Sequence, residues 1–308
     1  AYATKGPLRA REAAVELIAG HSEIANPAEV LVMALSAKES GLVATAAEVI
    51  TKKPQRAMLR PRKKPKKGDA EPKLNQAIVV ALLARLDGKG AAADLETLGA
   101  VIDAVGALQL TGADKQLARL CASPHAKIRE QAAKTLSRLA GKAHSCPAPE
   151  GGLANAVELA HLIERSAKLE LQSDAGKLTL DLDASIAPLA VTRIVDLVKA
   201  GFYDGMIVHR VVAGFVTQFG SPTADGYGGA PDRPAMACET APINFSRLSV
   251  GIALAGRDTG SSQLFVTHAP YPHLDGNYAW IGTASGPWDT LVDGDTIQKA
   301  TIVATNGR

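Results

Sequence analysis

The chain has 308 residues, 46% of them hydrophobic and 21% charged, with aromatics at only 4%. That length exceeds a typical single domain and predicts two, each able to bury its own core in a soluble globular protein. A formal net charge of +3 is too small to imply a nucleic-acid partner, and no apolar run approaches the ~18 residues of a membrane span. Cys121, Cys146 and Cys238 lie far apart without metal-ligand spacing, so neither a zinc site nor a disulfide framework is indicated, and a Cys121–Cys146 bridge stays open. The chain begins at Ala1 rather than Met, which leaves room for a signal peptide, lipid anchor or further domain ahead of it.

Helical periodicity marks Leu8 to Ile18, Glu29 to Ala37 and Gly41 to Ile50, with a break from Gly20 to Pro27. Asn26-Pro27 reads as a helix start, Asn accepting from free N–H groups and Pro sitting at the first helical position. Small residues such as Ala10, Ala13 and Ala14, then Ala44, Ala46 and Ala47, let the inner faces pack closely. From Lys52 to Lys73, nine Lys or Arg residues precede the first acid, interrupted by Pro54, Pro61 and Pro65. Proline and self-repulsion disfavour helix and strand there, so an exposed loop is expected. Lys52 to Lys67 could neutralise phosphates of a nucleic acid or an anionic surface. The loop holds no aromatic for base stacking, and a solvated connection between helices is the stronger reading.

The helical pattern resumes over Leu74 to Leu86, Leu95 to Ala107, Asp114 to Cys121 and Ala126 to Leu139. The last is started by Ser123-Pro124 and carries Ile128, Ala132, Leu136 and Leu139 on one face, which resembles the second helix of a HEAT repeat. Similar small-residue helices near Arg11 to Ile18 and Leu42 to Ile50 lie 33 residues apart when Ala14 is laid on Ala47. Residues 1–142, with the basic loop 52–73, are therefore expected to form an α-helical HEAT-like array, an irregular bundle being the alternative. Stacked helix pairs expose an extended face suited to macromolecular partners. No cluster of His, Cys and acids is seen in this half, and His21, His125 and His144 read as isolated surface or capping residues. Residues 143–167 are read as a linker, Ala143 to Gly152, followed by a connecting amphipathic helix, Leu153 to Ser166.

From Lys168 the period changes. Leu169, Leu171, Leu178, Leu180 and Leu182 alternate with polar residues around Asp174-Ala175-Gly176, a β-hairpin pattern. Pro188 opens a helix from Leu189 to Ala200 that Gly201 closes. Short strands and Gly-rich loops follow, which suggests a barrel or sandwich. The order LELQSDAGKLTLDLD, helix, GFYDGMIVHRVVAGFVTQFG, SPTADGYGG, LSVGIALAG, SSQLFVTHAPYPHLDGNYAWIG resembles the cyclophilins over roughly residues 168–305. The resemblance implies, for residues 168–308, a closed eight-stranded β-barrel with two capping helices and peptidyl-prolyl cis–trans isomerase (rotamase) activity, as in chaperones of protein folding.

Rotating an X–Pro bond breaks amide resonance against a barrier of ~18–20 kcal/mol. No bond is made or broken, so the chemistry needs no nucleophile, metal or cofactor. It needs an apolar pocket for the proline ring and a donor that favours the pyramidal prolyl nitrogen. Arg210, with its fixed charge and fork of N–H groups, suits the donor role, and the resemblance places it on the family's catalytic arginine. Gln218 falls on the glutamine that holds that arginine, and on a period-2 strand the two can share a face. Phe215 and Phe265 match the phenylalanines of the proline pocket, with Val216 and Leu274 as further walls. Gln263 matches a loop glutamine near the groove and Ala253 an alanine beside bound peptide backbone.

Several positions depart from the family pattern. Leu254 stands where many relatives carry Asn or Arg, and Phe219 replaces a usual Gly, which puts the groove edge in question. His273 occupies the position that is Trp in cyclosporin-sensitive members, which implies weak cyclosporin binding. Tyr278 looks like the bacterial version, consistent with a bacterial cytoplasm or periplasm. A hydrolase built from His209, His268, Ser261, Ser262 and Asp275 is rejected, since no Gly-x-Ser-x-Gly elbow is present. The expected function is isomerisation of X–Pro bonds in protein clients, which the helical half recruits; a non-catalytic scaffold that grips proline-containing peptides is the alternative.

Overall fold

The computed structural model describes residues 6–21, 26–57, 73–89, 94–147, 156–163, 166–231 and 233–306. The chain divides after Glu150 into two compact units. Most of the basic stretch, residues 58–72, lies outside the described residues. Among those described, no helix is long and apolar enough to cross a membrane.

The first unit contains α1 (Leu8–Gly20), α2 (Pro27–Leu35), α3 (Ser40–Lys52), α4 (Gln76–Arg85), α5 (Leu95–Ala107), α6 (Asp114–Leu120) and α7 (Ala126–Ala140). Leu42, Ala46, Val49 and Ile50 of α3 meet Leu98, Val101, Ile102 and Val105 of α5 in one apolar core. α1 packs on α3, α3 on α5 and α5 on α7, while α2 packs on α4. Gly99 and Gly106, seven apart on one face of α5, let α7 approach closely: a Cβ at Gly99 would lie 2.5 Å from Gln131 Oε1, and one at Gly106 2.9 Å from Thr135 Oγ1. Thr135 Oγ1 uses that proximity to donate to the Ile102 carbonyl at 3.3 Å.

The helix ends show which side chains cap. Asp94 accepts from the Thr97 N–H at 2.8 Å and Asn75 from the Ala77 N–H at 2.9 Å. Asn26, expected to cap through its side chain, does not. It sits in the left-handed region with φ 50° and accepts from Glu29 N–H through its backbone carbonyl. Arg85 donates to the Leu35 and Ala37 carbonyls at 2.8 and 2.7 Å, satisfying the end of α2 from a neighbouring helix. The expectation that this half lacks a His and Cys cluster is corrected. Chain leaving α7 turns back so that Cys146 is disulfide-bonded to Cys121 and His144 Nε2 lies 3.9 Å from Cys121 Sγ. The 15 residues of α7 separate these groups in sequence and return them to one place in space.

The second unit is built on β1 (Ser166–Ser173), β2 (Gly176–Asp183), β3 (Met206–Val212), β4 (Val216–Phe219), β5 (Ser249–Ile252), β6 (Leu264–Thr267), β7 (Trp280–Ser285) and β8 (Thr296–Asn306). They form a closed barrel in the order β1-β2-β7-β5-β6-β4-β3-β8. Ala167, Leu169 and Leu171 of β1 and Leu178, Leu180 and Leu182 of β2 point into it, as the period-2 pattern requires. A short helix α8 (Ala156–Leu159) and a longer helix α9 (Pro188–Lys199) accompany the strands, α9 contributing Val191, Ile194 and Val195 to the barrel core. The other helical piece packed into that core is the 3₁₀ turn Trp288–Thr290, whose Trp288 is fully buried.

The helix expected over Leu153 to Ser166 is corrected too. Among the described residues it is limited to α8, and Ser166 already belongs to β1. Tertiary bonds replace the helical ones: the Ile163 N–H donates to Thr192 Oγ1 at 2.9 Å, and His161 Nε2 meets Asp196 at 2.9 Å. Within β3 burial falls on Val208 and His209, while Ile207 and Val212 face solvent.

Candidate active site

β3 and β4 form a hairpin whose turn, Ala213 to Phe215, sets the register. That register places Arg210 directly across from Gln218, so the two share a face as cross-strand partners and not along a single strand. Arg210 Nη1 donates to Gln218 Oε1 at 3.3 Å, and its Cζ lies 5.9 Å from the Phe215 ring centroid. β4 pairs in turn with β6, where Gln218 opposes Phe265. One strand thus places the polar group and its neighbours supply the apolar wall.

The orientation of the amides follows from their bonds. Gln263 Nε2 donates to the carbonyls of Gly226 and Gly228 at 2.8 and 2.9 Å, which leaves Gln263 Oε1 to accept from Gln218 Nε2 at 2.9 Å. Gln218 Oε1 is then left facing Arg210. A directed chain runs from two backbone carbonyls to the guanidinium, and each member needs the one before it. Among the described residues Arg210 pairs with no carboxylate, although its side chain is exposed.

A cavity of about 210 Å³ opens beside this chain, lined by Arg210, Phe215, Val216, Gln218, Ala253, Leu254, Phe265, Leu274 and Tyr278. Val216, Phe265 and Leu274 are buried and form an apolar cluster with Phe245. Gln263 stands behind the wall, bonded to Gln218. His273 is exposed on the 3₁₀ turn Pro272–Leu274, its ring 5.7 Å from that of Phe215 and outside the cavity lining. Phe219, whose replacement of glycine put the groove edge in question, points the other way: it stacks on Trp288 at 5.9 Å in the barrel core.

Sequence reasoning missed three supports of this wall. Phe245 stacks on Phe265 at 5.6 Å, and Tyr271 meets Phe215 edge-on at 4.7 Å. Gly251 makes room for the Phe265 ring, since a Cβ there would lie 2.4 Å from Phe265 Cζ. The available signal was composition: all five Phe fall between Phe202 and Phe265. The groups weighed for hydrolysis are dispersed. Ser262 donates to the Gly220 carbonyl, Ser261 accepts from Ala230 N–H, His268 meets Thr217, and Asp275 accepts from Phe245 N–H.

The barrel thus carries an apolar cavity flanked by a positioned arginine and a bonded pair of glutamines. The sequence profile described as "Cyclophilin type peptidyl-prolyl cis-trans isomerase/CLD" matches residues 167–303. A peptidyl-prolyl cis-trans isomerase of Helicobacter pylori is 39% identical over 144 residues, covering 44% of this chain and 88% of that protein. Peptidyl-prolyl cis-trans isomerase B of Bacillus subtilis is 33% identical over 135 residues, covering 43% of this chain and 94% of that protein. A solved Cryptosporidium parvum cyclophilin is 24% identical with a TM-score of 0.43, covering 45% of this chain and 98% of that one. The chain belongs to the cyclophilin-type peptidyl-prolyl cis–trans isomerase family, its second unit being the isomerase domain.

Proposed function

We propose that the chain accelerates rotation about X–Pro bonds in protein clients, with Arg210 as the donor to the prolyl nitrogen and Gln218 holding it in place. The proline ring sits against Phe215, Val216, Phe265 and Leu274, and the flanking peptide backbone runs past Ala253, Leu254 and Tyr278. Rotation turns the planar amide nitrogen pyramidal and frees its lone pair. A guanidinium N–H aimed there binds the twisted state more tightly than either planar isomer, which lowers the barrier. The observation that carries this is Arg210 itself: without a carboxylate partner among the described residues, tied to Gln218, at the edge of an apolar cavity. His273, set beside Phe215 where cyclosporin-sensitive relatives carry Trp, supports weak cyclosporin binding.

The helical unit is proposed to recruit clients or partners as a HEAT-like array. The packing of α1, α3, α5 and α7 in series, with α2 on α4, supports stacked helix pairs. The test is cis–trans exchange of a proline tetrapeptide and of a protein whose refolding is limited by proline. Acceleration of both at micromolar enzyme, greater on the protein, is expected. Acceleration of neither would sink the isomerase reading, and equal acceleration the recruiting role.

Gly251→Ala tests the pocket wall. Its Cβ would also lie 2.9 Å from Phe245 Cε1, so the Phe265 ring cannot retreat and yields toward the cavity. Overpacking of this kind costs about 1–3 kcal/mol. The expected result is a KM for the proline peptide raised roughly tenfold, with kcat changed less, since ring binding and not the Arg210 donor is disturbed.

A further inference from the structure

Among the described residues, one group of three His, Cys or acidic side chains brings its ligand atoms within 4.8 Å of one another: Cys121, His144 and Cys146. Prolyl rotation uses none of them. Cys121 follows α6, while His144 and Cys146 lie in coil beyond Gly141, whose left-handed backbone (φ 64°) ends α7 and turns the chain back. The backbone at the imidazole is anchored to α7, because the His144 N–H donates to Ser137 Oγ at 2.9 Å and Ser137 Oγ donates to the Ala133 carbonyl at 2.7 Å. Both cysteines are half-buried and His144 is exposed, so a ligand reaches the group from solvent.

We propose that reduction of the Cys121–Cys146 disulfide opens a Cys2His site for a thiophilic d10 ion, zinc being the first choice, with a fourth position left to solvent. Two thiolates and an imidazole are the donors such ions prefer. Tetrahedral zinc, with bonds of about 2.3 Å to sulfur and about 2.0 Å to nitrogen, sets ligand separations of roughly 3.8 Å between sulfurs and 3.6 Å between sulfur and nitrogen. The Cys121 Sγ to His144 Nε2 separation is 3.9 Å. All three ligand atoms lie within 4.8 Å of one another, the two sulfurs part once the bond between them is reduced, and because Cys146 lies in coil no helix has to break. A dithiol reductant attacks one sulfur, passes through a mixed disulfide and leaves as its own cyclic disulfide, delivering two electrons and two protons to the cysteines. Zinc then displaces those two protons, and two thiolate charges balance the dication. Disulfide and metal site exclude each other, so the group reports redox state through metal occupancy.

The test uses the full chain with Cys238→Ser, which removes the third thiol. One sample is kept oxidised and one is reduced with a phosphine that becomes the phosphine oxide. Each is titrated with zinc against a chromophoric chelator, and with cobalt to follow thiolate-to-metal charge-transfer absorption. One zinc per chain in the reduced sample and none in the oxidised one is expected, with loss of the cobalt band in Cys146→Ser and an affinity at least about tenfold lower in His144→Ala. Equal zinc binding by reduced and oxidised protein would overturn the proposal, and that comparison needs no substitution at the site. Undiminished affinity in His144→Ala, with helicity unchanged by circular dichroism, would also overturn it.

Discussion

Arg210→Ala is expected to lower kcat/KM for X–Pro rotation by about 10²–10³-fold, the loss typical of removing one positioned donor from a developing lone pair or charge. The fall should appear in kcat, because the proposed ring contacts, Phe215, Phe265 and Leu274 of the cavity lining, serve planar and twisted states alike and stay in the variant. Unfolding should move little: Arg210 is exposed, and its side chain meets Gln218 and the Phe215 ring. Arg210→Lys separates charge from geometry. An ammonium keeps the positive charge but cannot donate to Gln218 and to the prolyl nitrogen from one rigid fork, so roughly tenfold of the loss should remain. Exchange measured by NMR at equilibrium reads both variants, and an Arg210→Ala enzyme within about threefold of the parent would remove the donor role.

Legibility followed distance along the chain. Arg210, Phe215, Val216 and Gln218 lie within one hairpin; strand period put Arg210 and Gln218 on a shared face, but the turn at 213–215 that makes them cross-strand partners was not read. The inward face of β1 and β2 was readable as alternating leucines, because burial on one face of a strand imposes period 2, whereas closure of the barrel rested on the family resemblance. What stayed hidden depends on long-range return of the chain. Gln263 is oriented by carbonyls of Gly226 and Gly228, 37 and 35 residues away, and backbone carbonyls carry no residue-type signal. Gly251 is required by a ring on another strand, which no local pattern encodes. Cys121, His144 and Cys146 meet only because the chain turns back after α7, and Asn26 failed as a side-chain cap because its backbone went left-handed.

Arg193→Ala is expected to destabilise the barrel unit by about 3–5 kcal/mol, a large share of the ~5–15 kcal/mol that holds a domain folded. Arg193 and Glu158 are 0% and 1% exposed. Glu158 Oε1 accepts from Arg193 Nε and, at 2.7 Å, from Arg233 Nη1. Arg193 Nη1 also donates to the Pro234 carbonyl at 3.1 Å, joining α9 to the loop before β5. Burial works against ionisation of Glu158, but the bonds and charges of Arg193 and Arg233 outweigh it and hold the carboxyl below its ordinary range. A depressed carboxylate contributes stability that is fully present above the unfolded value of about 4.3 and is lost as pH falls through the folded one. Without Arg193 the strongest of these lowering influences is lost and Arg233 is left against burial, so the carboxyl rises from its depressed position. The gap between parent and variant should therefore be widest near neutrality and shrink below about pH 5. Both tryptophans, Trp280 and Trp288, lie in the barrel unit, so denaturant unfolding followed by their fluorescence isolates the relevant transition. A gap that stays constant from pH 7 to about pH 4 would show that Arg193 stabilises by packing alone and that its charge on Glu158 contributes nothing.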